Sequence, residues 1–417
     1  MPTRVQRTGI GLLAVASLAL AACAGTSSGG ASSSGVKAAS TGPLPTSGCG
    51  SYPAGRTLDP QGVIARLPAQ YRKAYAGYVP KTVKSPWSTW KPKGPGPYTI
   101  GVQWNAITTP FQADMTKRLK AGLEKLPNVG KVILQTTGNN QDVGQGIQIF
   151  NSMLNRGVDM IITEPLQGDA YIESVKRARE RGVPVITALG PVSDPGAINV
   201  DYNAYVAGAE TVARAAKMIG GKGNVLYGAG IAGTGPDIYG EQGYDAAAKS
   251  CPGLKKLGTV YSGFVSSLAK GETLKFLATH PQKIDLVFTT GPFVDGIMQA
   301  LKQSGRPMPP VIDNGGTRGA LGYWRQNEGK YHAIGAGVTS PGYSTAIIRI
   351  TQRLLAGAGP KVNNFVTLAP LITDDNLDQW SSKSWTLTTP GQPDGPNLDT
   401  FMSEKYIDGL FTTPLAR

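Results

Sequence analysis

The sequence predicts an α/β protein of two doubly wound parallel-sheet lobes. Short apolar runs alternate with stretches whose apolar residues recur at helical spacing. The alternation runs through once and then restarts beyond residue 220. Runs such as Val158–Thr163 are apolar almost without interruption, as strands covered by helices on both faces require. A chain of 417 residues is long for one ordinary domain and sufficient for two.

The first set opens with a strand over Tyr98–Gln103. Pro110 then starts a helix that carries Phe111, Met115, Leu119 and Leu123 on one face. Lys131–Thr136 is the next strand, and Val143, Ile147, Phe150 and Leu154 mark the next helical stripe. The strand Val158–Thr163, a helix over Ala170–Arg181 and the strand Val183–Ala188 complete the set. After a helical stretch at Tyr205–Ile219, strands are expected at Asn224–Tyr227, Lys256–Tyr261, Ile284–Thr289 and Pro310–Ile312. One of the helices between them buries Val294, Ile297, Met298 and Leu301. In doubly wound sheets the ligand site lies outside the carboxyl ends of the strands, so two such sheets facing each other make a cleft.

The segment before this body divides by composition. Arg4 and Arg7 precede an apolar run from Ile10 to Leu20, too short to span a membrane as a mature helix. The run ends in Leu20-Ala21-Ala22-Cys23, which resembles a bacterial lipoprotein lipobox. Residues 1–22 therefore read as a lipoprotein signal peptide, Cys23 as the lipidated residue, and the mature protein as extracytoplasmic and anchored to the cell membrane. Residues 23–48, rich in Ser, Gly, Ala and Thr, read as a flexible tether. Residues 49–96 read as an extension packing on the body. Within it Asp59 and Pro60 supply a helix N-cap and first turn, with Ile64, Leu67, Tyr71 and Tyr75 following at helical spacing.

Composition narrows the chemistry. Lys and Arg total 41 against 27 Asp and Glu, a formal charge of +14, but the basic residues are dispersed and form no nucleic-acid patch. Two histidines and three cysteines leave little for a zinc or iron–sulfur site, and no metal or cofactor is expected. With Cys23 lipidated, Cys49 and Cys251 remain outside the cytosol, where two thiols tend to oxidise; whether they pair stays open. Gly228-Ala229-Gly230-Ile231-Ala232-Gly233 follows a strand and fits the dinucleotide fingerprint. The following strand, however, ends Val260-Tyr261-Ser262-Gly263, with no carboxylate for a ribose. The motif then reads as a glycine-rich loop at the mouth of a cleft. A secreted glycosidase remains the alternative function and an NAD-dependent dehydrogenase a weaker one.

Tyr98-Thr99-Ile100-Gly101-Val102, followed by Thr109-Pro110-Phe111-Gln112, resembles the opening of the ribose-binding group of type I periplasmic solute-binding proteins. Gly157 through Pro165, Ala178 through Ile186, and Asp285-Leu286-Val287-Phe288 continue the resemblance in order over residues 97–372. It implies a lipid-anchored, monomeric binding component of an ABC importer, delivering a small sugar or polyol to a permease. It also implies three chain crossings between lobes, near Asp201–Asn203, Ser340–Gly342 and Asn364–Leu368. Lobe 1 would then hold residues 97–202 and 341–365, and lobe 2 residues 203–340 and 366–417 with the C-terminal tail.

The resemblance places the ligand contacts at Trp104, Thr109, Phe111, Gln112, Glu164, Leu189, Tyr239, Phe264, Pro292, Asp313 or Asn314, and Thr339. Phe111 and Trp104 would offer apolar ring faces to a sugar. Thr109 can serve equally as an N-cap. Where the group often has a paired Asp and Arg, this chain has Leu189 and Gly190, and Gly291-Pro292 stands where an Asn-Asp pair is common. An ionised Glu164 only accepts hydrogen bonds, which suits a polyhydroxylated donor or a cation, whereas no Arg at the strand ends would receive an anion.

Overall fold

The computed structural model describes residues 36–39 and 41–415. The leader and Cys23 lie outside the described residues. In the N-terminal extension the helix expected from Asp59 onward is replaced mainly by turns. The Asp59 carboxylate accepts from the amides of Val63, Ile64 and Ala65, and the chain turns again before α1 (Ala69–Arg72). Ile64, Leu67, Tyr71 and Tyr75 are nonetheless all buried, so the apolar spacing reported burial while Pro68 broke the helix that would have carried it.

Lobe 1 is built from β1 (Tyr98–Trp104), α2 (Pro110–Leu123), β2 (Val129–Thr136), α3 (Val143–Asn155), β3 (Met160–Thr163), α4 (Ile172–Glu180), β4 (Val185–Ala188) and β5 (Ala197–Tyr202). Lobe 2 follows with α5 (Ala204–Met218), β6 (Lys222–Ala229), α6 (Gly235–Lys249), β7 (Gly253–Tyr261), α7 (Ser266–Thr279), β8 (Leu286–Thr289), α8 (Val294–Gln303), β9 (Val311–Gly315), α9 (Arg318–Gln326) and β10 (Ile334–Gly337). The chain returns through α10 (Ser340–Leu355), which packs on α2, to β11 (Asn364–Thr367), then crosses again to β12 (Leu371–Ile372). Two short helices, α11 (Leu377–Trp380) and α12 (Glu404–Gly409), lie in the tail.

Each lobe carries a six-stranded sheet, ordered β11-β5-β4-β3-β1-β2 in lobe 1 and β12-β10-β9-β8-β6-β7 in lobe 2. All pairings are parallel except β10 with β12. Three chain segments therefore pass between the sheets: β5 to α5, β10 to α10, and β11 to β12. Strand periodicity fixes which side chain joins which layer. Met160 and Ile162 of β3 enter one apolar cluster while Ile161 enters the cluster on the opposite face. In β6, Leu226 and Val225 divide the same way.

Four strands escape the sequence reading. β5, with Asn199 and Asp201 among its apolar residues, lacks the continuous run that marks β3. The Gly-rich β10 and the short β11 and β12 gain their identity from sheet neighbours rather than from local pattern.

The two ends of the chain differ from the expected layout. The tether is docked from Val36 onward: Ala39 is buried, Val36 and Leu44 pack on lobe 2, and the Lys37 amide donates to the Met218 carbonyl. Cys49 and Cys251 form a disulfide that ties the extension to lobe 2. The assignment of 366–417 to lobe 2 is corrected by packing. Leu377, Trp380 and Leu387 join the lobe 2 core, but Phe401, Met402, Ile407, Leu410 and Phe411 join the lobe 1 core.

Candidate functional site: the cleft between the sheets

The carboxyl ends of the two sheets enclose a cavity of about 120 Å³. Lobe 1 lines it from the loop after β1, where Thr109 caps α2 by accepting from the Gln112 amide at 3.2 Å, and from the turns after β3 and β4. Lobe 2 lines it from the turns that follow β6, β7, β8 and β10 and from the end of β9. The structure brings Thr109, Phe111, Gln112, Glu164, Leu189, Phe264, Pro292 and Asn314 to its walls.

The remaining proposed contacts lie elsewhere. Trp104 is wholly buried in the lobe 1 core, because it follows Ile100 and Val102 on the side of β1 that faces this cluster. Tyr239, from α6, packs against that same core cluster. Asp313 is committed within its own lobe: its Oδ2 accepts from the Thr317 amide at 2.7 Å and hydroxyl at 3.0 Å at the start of α9. The neighbouring Asn314 is the residue that reaches the cleft. Thr339 is the N-cap of α10, accepting from the Gly342 amide at 3.3 Å.

The cleft is lined by apolar rings and uncharged amides. Among the described residues no Lys, Arg or His lines it. Glu164 is the carboxyl group on its wall, with Oε2 accepting from the Asn105 amide at 3.2 Å. Burial pushes the Glu164 carboxyl up to about 7, and hydrogen bonds from Asn105 and Gln112 offset only part of that. The group can therefore donate or accept near neutral pH, rather than only accept. Three amide oxygens on the cavity walls, Asn140 Oδ1, Asn314 Oδ1 and Gln392 Oε1, are buried with no protein donor. Unpaired buried acceptors are costly, so each of these three can receive a hydroxyl or N–H hydrogen from a molecule in the cleft.

Two wall residues hold left-handed backbone that other non-glycine residues avoid: Leu189 at φ 62° and Phe264 at φ 63°. The Leu189 amide is held by the Tyr343 hydroxyl at 2.9 Å, and the Phe264 amide donates to Ser262 Oγ at 3.0 Å. This backbone turns the Phe264 ring onto Gly230 and Gly291, where a Cβ on either glycine would overlap it. The central glycine of the fingerprint-like loop thus makes room for a phenylalanine rather than a pyrophosphate. Asn105, Asn140, Tyr202, Thr234, Thr290 and Gln392 also line the cavity and escaped the sequence reading. Asn105 and Thr290 directly follow strands, a usable signal; Tyr202 ends a strand without a strong pattern, and Gln392 comes from the tail.

A family model described as periplasmic binding protein domain matches residues 100–359, well over half of the chain. This chain belongs to the periplasmic binding protein family. A xylitol-binding protein of Mycolicibacterium smegmatis is 26% identical over 261 residues, covering 62% of this chain and 74% of that protein. An ABC transporter solute-binding protein from Bacillus halodurans with bound myo-inositol superposes with a TM-score of 0.61 at 19% identity, covering 69% of this chain and 98% of the other. An ABC transporter solute-binding protein from Thermobispora bispora gives 0.61 at 20% identity, covering 73% and 93%. At such identities the structural likeness establishes the fold: the two parallel-sheet lobes are those of type I binding proteins.

Proposed function

We propose that this binding protein captures one small neutral polyol or sugar between its lobes and delivers it to the permease of an ABC importer. The carrying observation is the set of unpaired amide acceptors at Asn140, Asn314 and Gln392, in a cleft whose described lining holds no cation. A polyol presents many hydroxyl donors and needs no counter-charge. A sugar phosphate would have to surrender its hydration without a cation in return. Phe111 and Phe264 supply apolar faces for the C–H side of such a ligand. The curated xylitol-binding relative supports the same class.

The chain would act as a binder rather than an enzyme, held outside the cell by a diacylglycerol on Cys23. Cys23→Ser should abolish lipid incorporation while leaving ligand capture intact. The ligand class is tested by thermal shift with pentoses, hexoses, polyols, sugar phosphates and cationic solutes. A ligand at 100 times its Kd should stabilise the protein by about 2.7 kcal/mol. Stabilisation by anionic compounds alone would overturn the reading, as would glycoside turnover by the pure protein.

A further inference from the structure

We infer that Gln392, carried by a C-terminal strap outside the matched family domain, is a ligand-contacting residue that accepts a hydroxyl hydrogen of the bound polyol. The inference rests on the polyol reading of the cleft.

The strap is fixed to lobe 2 up to the residue in question. Gln299 Nε2 donates to the Leu387 carbonyl at 3.1 Å, and the Arg318 amide donates to the Gly391 carbonyl at 2.9 Å. Two residues beyond Gln392 the strap reaches lobe 1, where Asp394 pairs with Arg118 of α2 at 3.2 Å. Farther on, Asp399 pairs with Arg349 at 2.6 Å and the Phe401 ring stacks on Tyr343. Gln392 therefore sits where the strap passes from one lobe to the other across the cleft.

Its side chain is oriented by its own hydrogen bonds. Nε2 donates to the Gly315 carbonyl at 2.7 Å and the Val338 carbonyl at 3.2 Å, at the ends of β9 and β10. Turning the amide over would set Oε1 against two carbonyl oxygens, so the orientation is determined. With the amide hydrogens engaged, Oε1 is the polar atom left over, and it is buried without a donor. Gln392 lines both the inner cleft and an adjoining cavity of about 460 Å³, together with Phe111, Phe264 and Pro292. It stands at the neck between them, where one end of a bound polyol would meet the protein.

The test is isothermal titration of the full chain, with whichever of xylitol, sorbitol and myo-inositol the wild type binds tightest, and with that polyol's monodeoxy analogues. Gln392→Leu removes the acceptor at similar volume and should weaken the parent polyol about tenfold or more. One monodeoxy analogue should bind the wild type and Gln392→Leu alike, because it lacks the hydroxyl that Oε1 receives; a merely structural role would weaken every analogue equally. Gln392→Asn, which withdraws the amide by one methylene, is the second variant and should show the same pattern. Equal parent-polyol affinity in wild type and variants, or uniform weakening across the analogues, overturns the inference while the polyol reading stands. Failure of the wild type to bind any neutral polyol or sugar overturns both.

Discussion

The two segments outside the family domain both run between the lobes, and they do so on different terms. The N-terminal extension is fastened to lobe 2 by Cys49–Cys251 and then buries Tyr75 and Trp87 in the lobe 1 core. On its way it supports the hinge. Tyr75 donates to the Asn364 carbonyl at 2.7 Å, Asn203 Nδ2 donates to the carbonyls of Ala74 and Ala76, and Tyr78 donates to Asp201. None of residues 49–96 lines the cleft. The tail lies across the cleft and adds Gln392 to its wall. Thus one extension packs against the hinge and the lobe 1 core, and the other lines the cleft. The contrast can be tested by separating stability from affinity.

The largest expected effect is on the extension. Trp87 is buried and its indole N–H donates to the Gly196 carbonyl at 2.8 Å. Trp87→Ala should cost about 3–5 kcal/mol in denaturant unfolding and leave polyol affinity within about twofold. A large loss of affinity in a variant that remains folded would break the division of labour. Next, Cys49→Ser should cost about 2–4 kcal/mol, since the bond closes a loop spanning 202 positions. It should also make the segment around Tyr52 protease-sensitive before the body unfolds.

The cleft itself yields a pH prediction. The folded-state carboxyl of Glu164 lies at about 7, raised above its ordinary value, so its contribution is fully present below the unfolded pKa. It is lost as pH rises through the folded pKa. Asp201, at the hinge, and Asp313 are pushed to about 7 by burial as well and act in the same direction. Unliganded protein should therefore be less stable at pH 8 than at pH 5. Glu164→Gln, which never ionises, should recover up to about 3 kcal/mol at pH 8 and little at pH 5. If melting curves of wild type and variant run parallel across this range, the folded state compensates the Glu164 carboxylate in full and its pKa is not raised.

How much of this was legible follows from where the information is stored. The alternating body was readable because strands buried on both faces demand apolar runs, as in β3, and helices between them demand a stripe, as in α2. Phe264 and Leu189 were reachable because a position after a strand is a position at the cleft. Trp104 and Thr339 were misplaced by the same rule: one residue inside the strand end or at the helix cap changes which way a side chain points. Gln392 was not legible at all. Its place depends on a loop-rich tail whose path is set by pairs far apart in sequence, such as Arg118 with Asp394.

That pair gives the smallest expected effect and the sharpest use of the comparison. Arg118 and Asp394 are both solvent-exposed, and Arg118 also pairs with Asp114 at 2.7 Å on its own helix. An exposed ion pair contributes about 0–1 kcal/mol, so Arg118→Ala should lower Tm by no more than about 2 °C. From its position a larger kinetic effect is expected. Asp394 lies two residues from Gln392 and fastens the strap to lobe 1, so opening the cleft requires either this contact or the Gln392 contacts to break. Polyol dissociation from Arg118→Ala, followed by stopped-flow tryptophan fluorescence, should be faster than from wild type by about two- to fivefold. Raising salt to about 0.5 M should speed wild-type release toward the variant's rate and affect the variant less, since of the two strap ion pairs it retains Asp399–Arg349. Equal dissociation rates at low salt would show that the strap does not restrain opening through this pair; Gln392 would then serve the ligand without serving as a latch.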